Sequence, residues 1–460
     1  MFTAVFLAFL LFASAVAFVD WRRGLYLALV AGVLQDPVRK VTPGTPPELT
    51  MSIVVVYLAI LIATNVQLRQ YARDMVLRFS RLQVAFVLFA FTLLLAALNG
   101  IYTYGISLWK VPALSLLIYT LPVPAVVLGY MYIQREEQLI SLFRFYAILT
   151  AIALIGTPLE YFHVQSPLLG MVASQGVFIR FLPGLMLPVL SGIYRAPDIM
   201  AWHASMLTIV GITMAIRARV LTRAWPWLTL AAWGMLNCFI SGRRKSIYMV
   251  VVFAIAFLWR YAKRLEMRYI VSFAMFGLLM VGLVYRLASK EESSLYAKAA
   301  ETSRHEVLYR LEGGAFDAIR EFGILGAGLG SATQGVRHLT GHDEMVGWQE
   351  GGFGKLAVEL GLPGLFAAAY LLFVVYRLFM IISAHRDLPG TTQLIRAALF
   401  GIAVANFVTF IASAQAYSDP VLTLLTAFLV GCLFGTAALD ERHAAQTEMV
   451  APQLTAQATA

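Results

Sequence analysis

Charge is what this sequence has least of. Of its 460 residues, 13% are Asp, Glu, Lys or Arg, against about 25% in an average soluble domain. That scarcity excludes an ordinary soluble enzyme and a disordered chain. Cysteine is nearly absent as well. Cys238 and Cys432 both lie inside apolar stretches, which excludes a secreted disulfide scaffold and reads as two small buried apolar residues. There is no HExxH, no Cys/His cluster and no GxxxxGK[ST] phosphate loop. Neither a metal nor a nucleotide cofactor is therefore expected, and ATP-driven work is not expected either. What the sequence does have is apolar residues, 60% of the total. Only a polytopic membrane protein fits that composition.

A helix needs about 20 residues to cross the hydrocarbon. Apolar runs fall at roughly 1–19, 24–35, 50–67, 83–99, 110–131, 140–157, 199–216, 226–241, 246–259, 268–285, 355–376, 392–413 and 421–437. The pattern predicts an all-α polytopic membrane protein of about 12–13 transmembrane helices, with residues 1–437 forming one transmembrane domain. Asp20-Trp21-Arg22-Arg23 closes the first run like an interface anchor. That favours a retained span over a cleaved signal peptide, which the small triplet Ala13-Ser14-Ala15 keeps as the alternative. Residues 438–460 are small and polar and read as a disordered tail.

Orientation follows from Lys and Arg in the linkers. The linkers Arg69–Arg81, Arg217–Arg223 and Arg260–Arg268 are densely basic, and Arg22, Arg23, Arg135, Arg377 and Arg386 fall on the same side by span count. That side is predicted to be the cytoplasm, which puts the tail inside and two long loops, 158–198 and 286–354, outside. Within the second loop, Leu308, Leu311, Ala315, Ile319 and Phe322 mark one face of an amphipathic helix, interrupted by Gly313-Gly314.

The net charge of +10 fits positive-inside loops better than nucleic acid, which is not expected as a partner. The informative cations are those that fall outside. Ser241-Gly242-Arg243-Arg244-Lys245-Ser246 is a short turn between two apolar runs on the outer side. Cations there need a partner: a lipid phosphate, an acidic side chain or a bound anionic substrate. Arginine suits bidentate phosphate contacts. Ser241 and Ser246 add hydroxyl donors, and the free amides of a helix start also favour an anion. Arg195 stands immediately before a run that carries His203, a residue that needs a cavity or a partner at that depth. Asp198 reads as an N-terminal cap.

At the end of the large loop, Glu350 meets the membrane boundary. A carboxylate in partly apolar surroundings has a raised pKa and can serve as a general base; His342 is the other candidate base. Glu359 lies deeper and pairs on spacing with Lys355. Gly326-Ala327-Gly328-Leu329-Gly330-Ser331 is GxGxG, not GxGxxG, and no βαβ unit surrounds it, so it reads as a tight turn presenting backbone amides near the site.

Together these segments resemble the bacterial O-antigen ligase and O-antigen polymerase superfamily over roughly residues 195–375. Its short Ser/Thr-Gly-x-Arg turn is similar to Ser241-Gly242-Arg243-Arg244. Its loop arginine, apolar helix and glycine segment are similar to Arg310-Leu311-Glu312 through Gly326-Ala327-Gly328-Leu329-Gly330. In the ligase branch a histidine stands shortly before a Gly-x-x-Gly; counting back from Gly361-Leu362-Pro363-Gly364, that position holds Glu350. The departure leaves the polymerase branch the more open one.

The resemblance implies transfer of a glycan from undecaprenyl diphosphate to an acceptor sugar or lipid, without metal or nucleotide, at the periplasmic face of the inner membrane. It implies that Arg243 and Arg244 bind the diphosphate, that Arg195 and Arg310 assist, and that Glu350 or His342 takes the acceptor proton in a single inverting displacement. Polymerisation of surface polysaccharide repeat units is the first expectation. Ligation to lipid A-core and protein O-oligosaccharyl transfer are alternatives within the class, and a transporter or an envelope-assembly scaffold are alternatives outside it.

Overall fold

The computed structural model describes residues 2–170, 179–182, 185–218, 220–261, 314–333, 347, 349–384, 390–437 and 439, and only the backbone of the two short strands. His342, Arg310, the run at 268–285 and the tail 440–460 lie outside these residues. The helices are α1 Phe2–Val19, α2 Trp21–Val41, α3 Ser52–Ala63, α4 Asn65–Arg78, α5 Ser80–Tyr104, α6 Lys110–Thr120, α7 Pro122–Tyr132, α8 Glu136–Ala153, α9 Gly156–Tyr161, α10 Pro197–Ala218, α11 Leu221–Ile240 and α12 Arg244–Tyr261. They continue with α13 Gly352–Ala384 and α14 Gly390–Ala412 and end with α15 Pro420–Ala437. Strand β1, Ile179–Leu182, pairs antiparallel with β2, Leu185–Pro188. That hairpin is the one departure from an all-α architecture among the described residues.

The protein is a multi-pass helical membrane protein. Eight helices among the described residues are long and apolar enough to cross a membrane, or up to nine if α3 and α4 count as one bent span. The expected runs at 24–35, 226–241 and 246–259 are helical too, as parts of α2, α11 and α12. They fall outside that set because they are more polar: α2 carries Asp36 and four basic residues, α11 has Arg223, Asn237 and three tryptophans, and α12 has Arg244, Lys245 and Arg260.

Helix α10 forms the centre, buried from Pro197 to Ile216. An apolar helix buried all round needs neighbours on every side, and α11, α12, α8 and α14 supply them. Between helices in lipid the apolar effect gives little net drive, so close backbone packing has to supply it. Gly129 of α7 and Gly431 of α15 face each other's helices so closely that a Cβ on either would overlap a main-chain carbonyl, that of Phe428 or Val126.

Contacts between helix ends fix the direction of each crossing. At one end the start of α12 meets the start of α10 and the residue after α14. At the other, the Tyr261 hydroxyl that closes α12 donates to the Gly390 carbonyl that opens α14. The Glu136 carboxylate of α8 accepts from Thr392 there. Buried Arg396 donates to the Thr436 carbonyl at 2.6 Å and the Ile382 carbonyl at 3.3 Å, satisfying the last turns of α15 and α13. The described chain thus leaves at Tyr261 on this second end and has returned by Glu350 to the first.

Candidate functional site

The first end gathers most of the ionisable residues that the sequence singled out. Its local frame is the turn between α11 and α12. Gly242 adopts φ +66°, which lets the chain reverse within two residues. The Ser241 hydroxyl accepts from the Arg243 amide at 3.0 Å and donates to the Cys238 carbonyl at 2.6 Å. The Ser246 hydroxyl donates to the Arg243 carbonyl at 2.6 Å. Both hydroxyls, expected as donors to a ligand, are instead spent on building the turn.

That turn aims Arg243 and Lys245 at one carboxylate. Arg243 Nη2 lies 3.1 Å from Asp198 Oδ2, and Lys245 Nζ contacts the other oxygen of Asp198. Lys245 also donates to the Ser413 hydroxyl at 2.6 Å. Of the three partners the sequence left open for these cations, the structure supplies the acidic side chain. Asp198 is thereby corrected: it sits inside the first turn of α10, and its carboxylate holds Arg243, just before α12, and Lys245, in its first turn. Arg244 stands beside them as the first residue of α12, half-buried. Glu350 is adjacent and half-buried. Its carbonyl accepts from the Ala414 amide at 2.8 Å, and its charge reaches Lys245.

Arg195 belongs to a second, deeper network. Its Nη1 lies 3.0 Å from Asp36 Oδ1 and its Nη2 lies 2.6 Å from Asp419 Oδ2, with both carboxylates fully buried. The Arg195 amide also donates to Asp36 at 3.0 Å. Asp419 in turn accepts from the Val421 and Leu422 amides and so caps α15. Burial alone would lower the Arg195 pKa, but Asp419 and then Asp36 more than reverse this and hold it above the usual guanidinium range. Two carboxylates share one guanidinium, so burial, together with Asp36, pushes Asp419 up despite Arg195.

His203, another residue the sequence singled out, is accounted for by packing. His203 finds its partner in Tyr146, whose hydroxyl lies 2.9 Å from Nδ1, and stacks on the Tyr194 ring at 4.8 Å. Beside them Lys40 donates to the Gly192 carbonyl at 2.8 Å, and Glu160 accepts from the Ser191 and Gly192 amides. Burial pulls Lys40 down to about 8, against the opposing pull of Asp36 and Glu160. These contacts pin the start of α10 to α2 and α9.

The glycine run inserts between α5 and α13. The Ala327 amide donates to the Val358 carbonyl at 2.7 Å, and the Leu329 amide donates to the Ala96 carbonyl at 2.9 Å. Asn99 and Thr103 of α5 take the Gly326 and Ala327 carbonyls. Glu359, fully buried, fastens the far side. It accepts from Tyr119 at 2.6 Å, from Thr333 at 2.5 Å and from the Ala332 amide at 3.3 Å. The expected Lys355 partner is 3.9 Å away. At the same level α13 breaks at Gly361, φ +64°, and the Leu362 amide donates to the Ile324 carbonyl at 2.8 Å.

Sequence reasoning placed Arg243, Arg195 and Glu350 at one end of the bundle, and they are there. It missed Lys245 as the second arm on Asp198, and Asp36 and Asp419 as the partners of Arg195. Asp36 and Asp419 each stand at or beside the end of an apolar run, which is the one signal they carry. No protein-family model matches the chain, and no curated protein matches it.

Proposed function

We propose that the protein is a membrane glycosyltransferase that moves a glycan from undecaprenyl diphosphate to an acceptor sugar, polymerising surface polysaccharide repeat units. One observation carries the reading: Arg243 and Lys245 converge on Asp198 at the mouth of the bundle, with Arg244 and Glu350 beside them. Three cations, Arg243, Arg244 and Lys245, against the two carboxylates of Asp198 and Glu350 leave positive charge in excess, which a diphosphate can use. Arg195, outnumbered by Asp36 and Asp419, is assigned the tie between α2 and α15 instead of a ligand contact.

In this reading the acceptor hydroxyl oxygen bonds to the anomeric carbon as the bond from that carbon to the phosphate oxygen breaks. The electron pair leaves on the diphosphate, and the proton passes to Glu350. Charge grows on the leaving group, so fixed cations stabilise the transition state more than the ground state. The lipid tail of such a donor requires a groove between helices, and the periplasmic face of the inner membrane is the side on which such donors are consumed.

The test is the lipid-linked glycan profile of cells carrying Arg243→Ala/Lys245→Ala in place of the wild type. Single repeat units should accumulate on the lipid diphosphate, with polymer lost by about 100-fold or more, the scale for removing one oxyanion-type donor. Polymer retained on the lipid but missing from its final acceptor identifies a ligase. An unchanged profile, with the variant present in the membrane, overturns the assignment.

A further inference from the structure

The most distinctive surface outside the site is at the opposite end of the bundle. There α3 stops after 12 residues and the chain turns by 81° into α4. Helix α4 therefore runs across the bundle end rather than through the bundle. Its inner face, Leu68, Tyr71 and Met75, packs with α7, α13 and α15 through Tyr130, Leu378 and Phe434. Its outer face carries Val66, Arg69, Arg73 and Leu77 at helical spacing, all exposed.

The composition of that outer face restricts what can lie against it. Val66 is 70% exposed and Leu77 is 83% exposed, so water alone is a poor neighbour. Arg69 and Arg73 between them exclude hydrocarbon. Arg81 follows on the first turn of α5, also exposed. None of these three arginines has an ion-pair partner among the described residues. The nearest acid in sequence, Asp74, accepts a hydrogen bond from Tyr130 at 2.5 Å. The level in the membrane is set by the flanking helices. Exposed apolar side chains of α3 end at Ile62, and those of α5 begin at Val84. Only the headgroup layer meets both requirements at once, taking apolar tips toward the acyl chains and guanidinium groups at the phosphates.

We propose that α4 is an in-plane anchor that binds anionic phospholipid headgroups through Arg69, Arg73 and Arg81, on the face opposite the candidate site. The occupant is bilayer lipid, because Val66 and Leu77 have no use for a soluble phosphate. The inference does not depend on the proposed reaction.

The test uses the full-length protein in detergent micelles, titrated with phosphatidylglycerol or with phosphatidylcholine and read by native mass spectrometry. Each surface arginine contributes roughly a fivefold factor toward anionic lipid. The triple variant Arg69→Gln/Arg73→Gln/Arg81→Gln should bind phosphatidylglycerol on the order of 100-fold more weakly than the wild type. The triple lysine variant should keep most of the affinity, and millimolar inorganic phosphate should not compete. Should the glutamine triple fail to fold, Arg69→Gln and Arg73→Gln alone carry the test, each with a loss of roughly fivefold. Undiminished binding in the glutamine variants, equal binding of the two lipids by the wild type, or displacement by inorganic phosphate would each overturn the proposal.

Discussion

A buried guanidinium between two carboxylates behaves differently from one that faces an empty cleft. Arg195 is held by Asp36 and Asp419 from opposite ends of the sequence, and removing it strands two charges where no water reaches them. Breaking one buried pair costs about 3–5 kcal/mol, whereas replacing the whole group by well-packed apolar residues is often neutral or better. Arg195→Gln should therefore lower the stability of the detergent-solubilised protein by at least about 3 kcal/mol. Adding Asp36→Asn and Asp419→Asn should recover a large part of that loss. Thermal unfolding of the single and triple variants measures both. If the single variant melts with the wild type, Arg195 is no tie and its return to the ligand-binding set is warranted. Asp198 is the contrasting case: it neutralises only part of the charge of Arg243 and Lys245, which is why the excess is assigned to a ligand there and not at Arg195.

At the level of elements, the glycine run joins α5 to α13. Gly328 has φ +89°, and a Cβ there would overlap the backbone of Gly100. Gly328→Ala faces both the left-handed strain, roughly 1–2 kcal/mol, and the cost of forcing atoms into a packed interface, typically about 1–3 kcal/mol. Gly44→Ala is the control. Gly44 has φ +76° but nothing within 4 Å of its Cβ position, so it should show the strain alone. Yield and melting temperature of the two variants separate the contributions, and equal losses would mean that the loop is not clamped. This element also marks where reading from sequence stops. Apolar runs and basic linkers located the spans because each is a local property of composition. That Arg243 and Glu350 share one end followed from counting those spans. The GxGxG run was recognised as a turn, but its burial depends on Asn99, Tyr119 and Glu359, more than two hundred residues apart along the chain in the contacts made by Asn99 and Tyr119. The Arg195 pairs span 159 residues to Asp36 and more than two hundred to Asp419. No local pattern encodes such pairings, and the two acids involved looked like ordinary span ends.

For the molecule as a whole, exposed cations are unevenly shared between the two ends. At the candidate-site end Arg195, Arg243 and Lys245 are paired with Asp36, Asp419 and Asp198, and Lys110 is exposed. At the other end Arg69, Arg73, Arg81, Arg135, Arg223 and Arg377 are exposed, and exposed Arg23 pairs with Asp20. Topology is set by the Lys and Arg of short loops, which are retained in the cytoplasm. Paired cations whose charge is offset on folding weigh less at the finished interface than exposed ones facing anionic headgroups. The α4 end is therefore expected to be cytoplasmic and the Arg243 turn external. Native cysteines do not interfere with a labelling test, since Cys238 and Cys432 are both buried. Ser107, between α5 and α6, is exposed at the site end, and Ser80, the first residue of α5, is exposed at the other. In intact cells whose outer barrier admits the reagent, Ser107→Cys should react with a membrane-impermeant maleimide, and Ser80→Cys should react only after the inner membrane is opened. The reverse pattern would put the Arg243–Asp198–Lys245 cluster inside the cell. It would remove the periplasmic donor from the proposed reaction while leaving lipid binding by α4 open to its own test on the other leaflet.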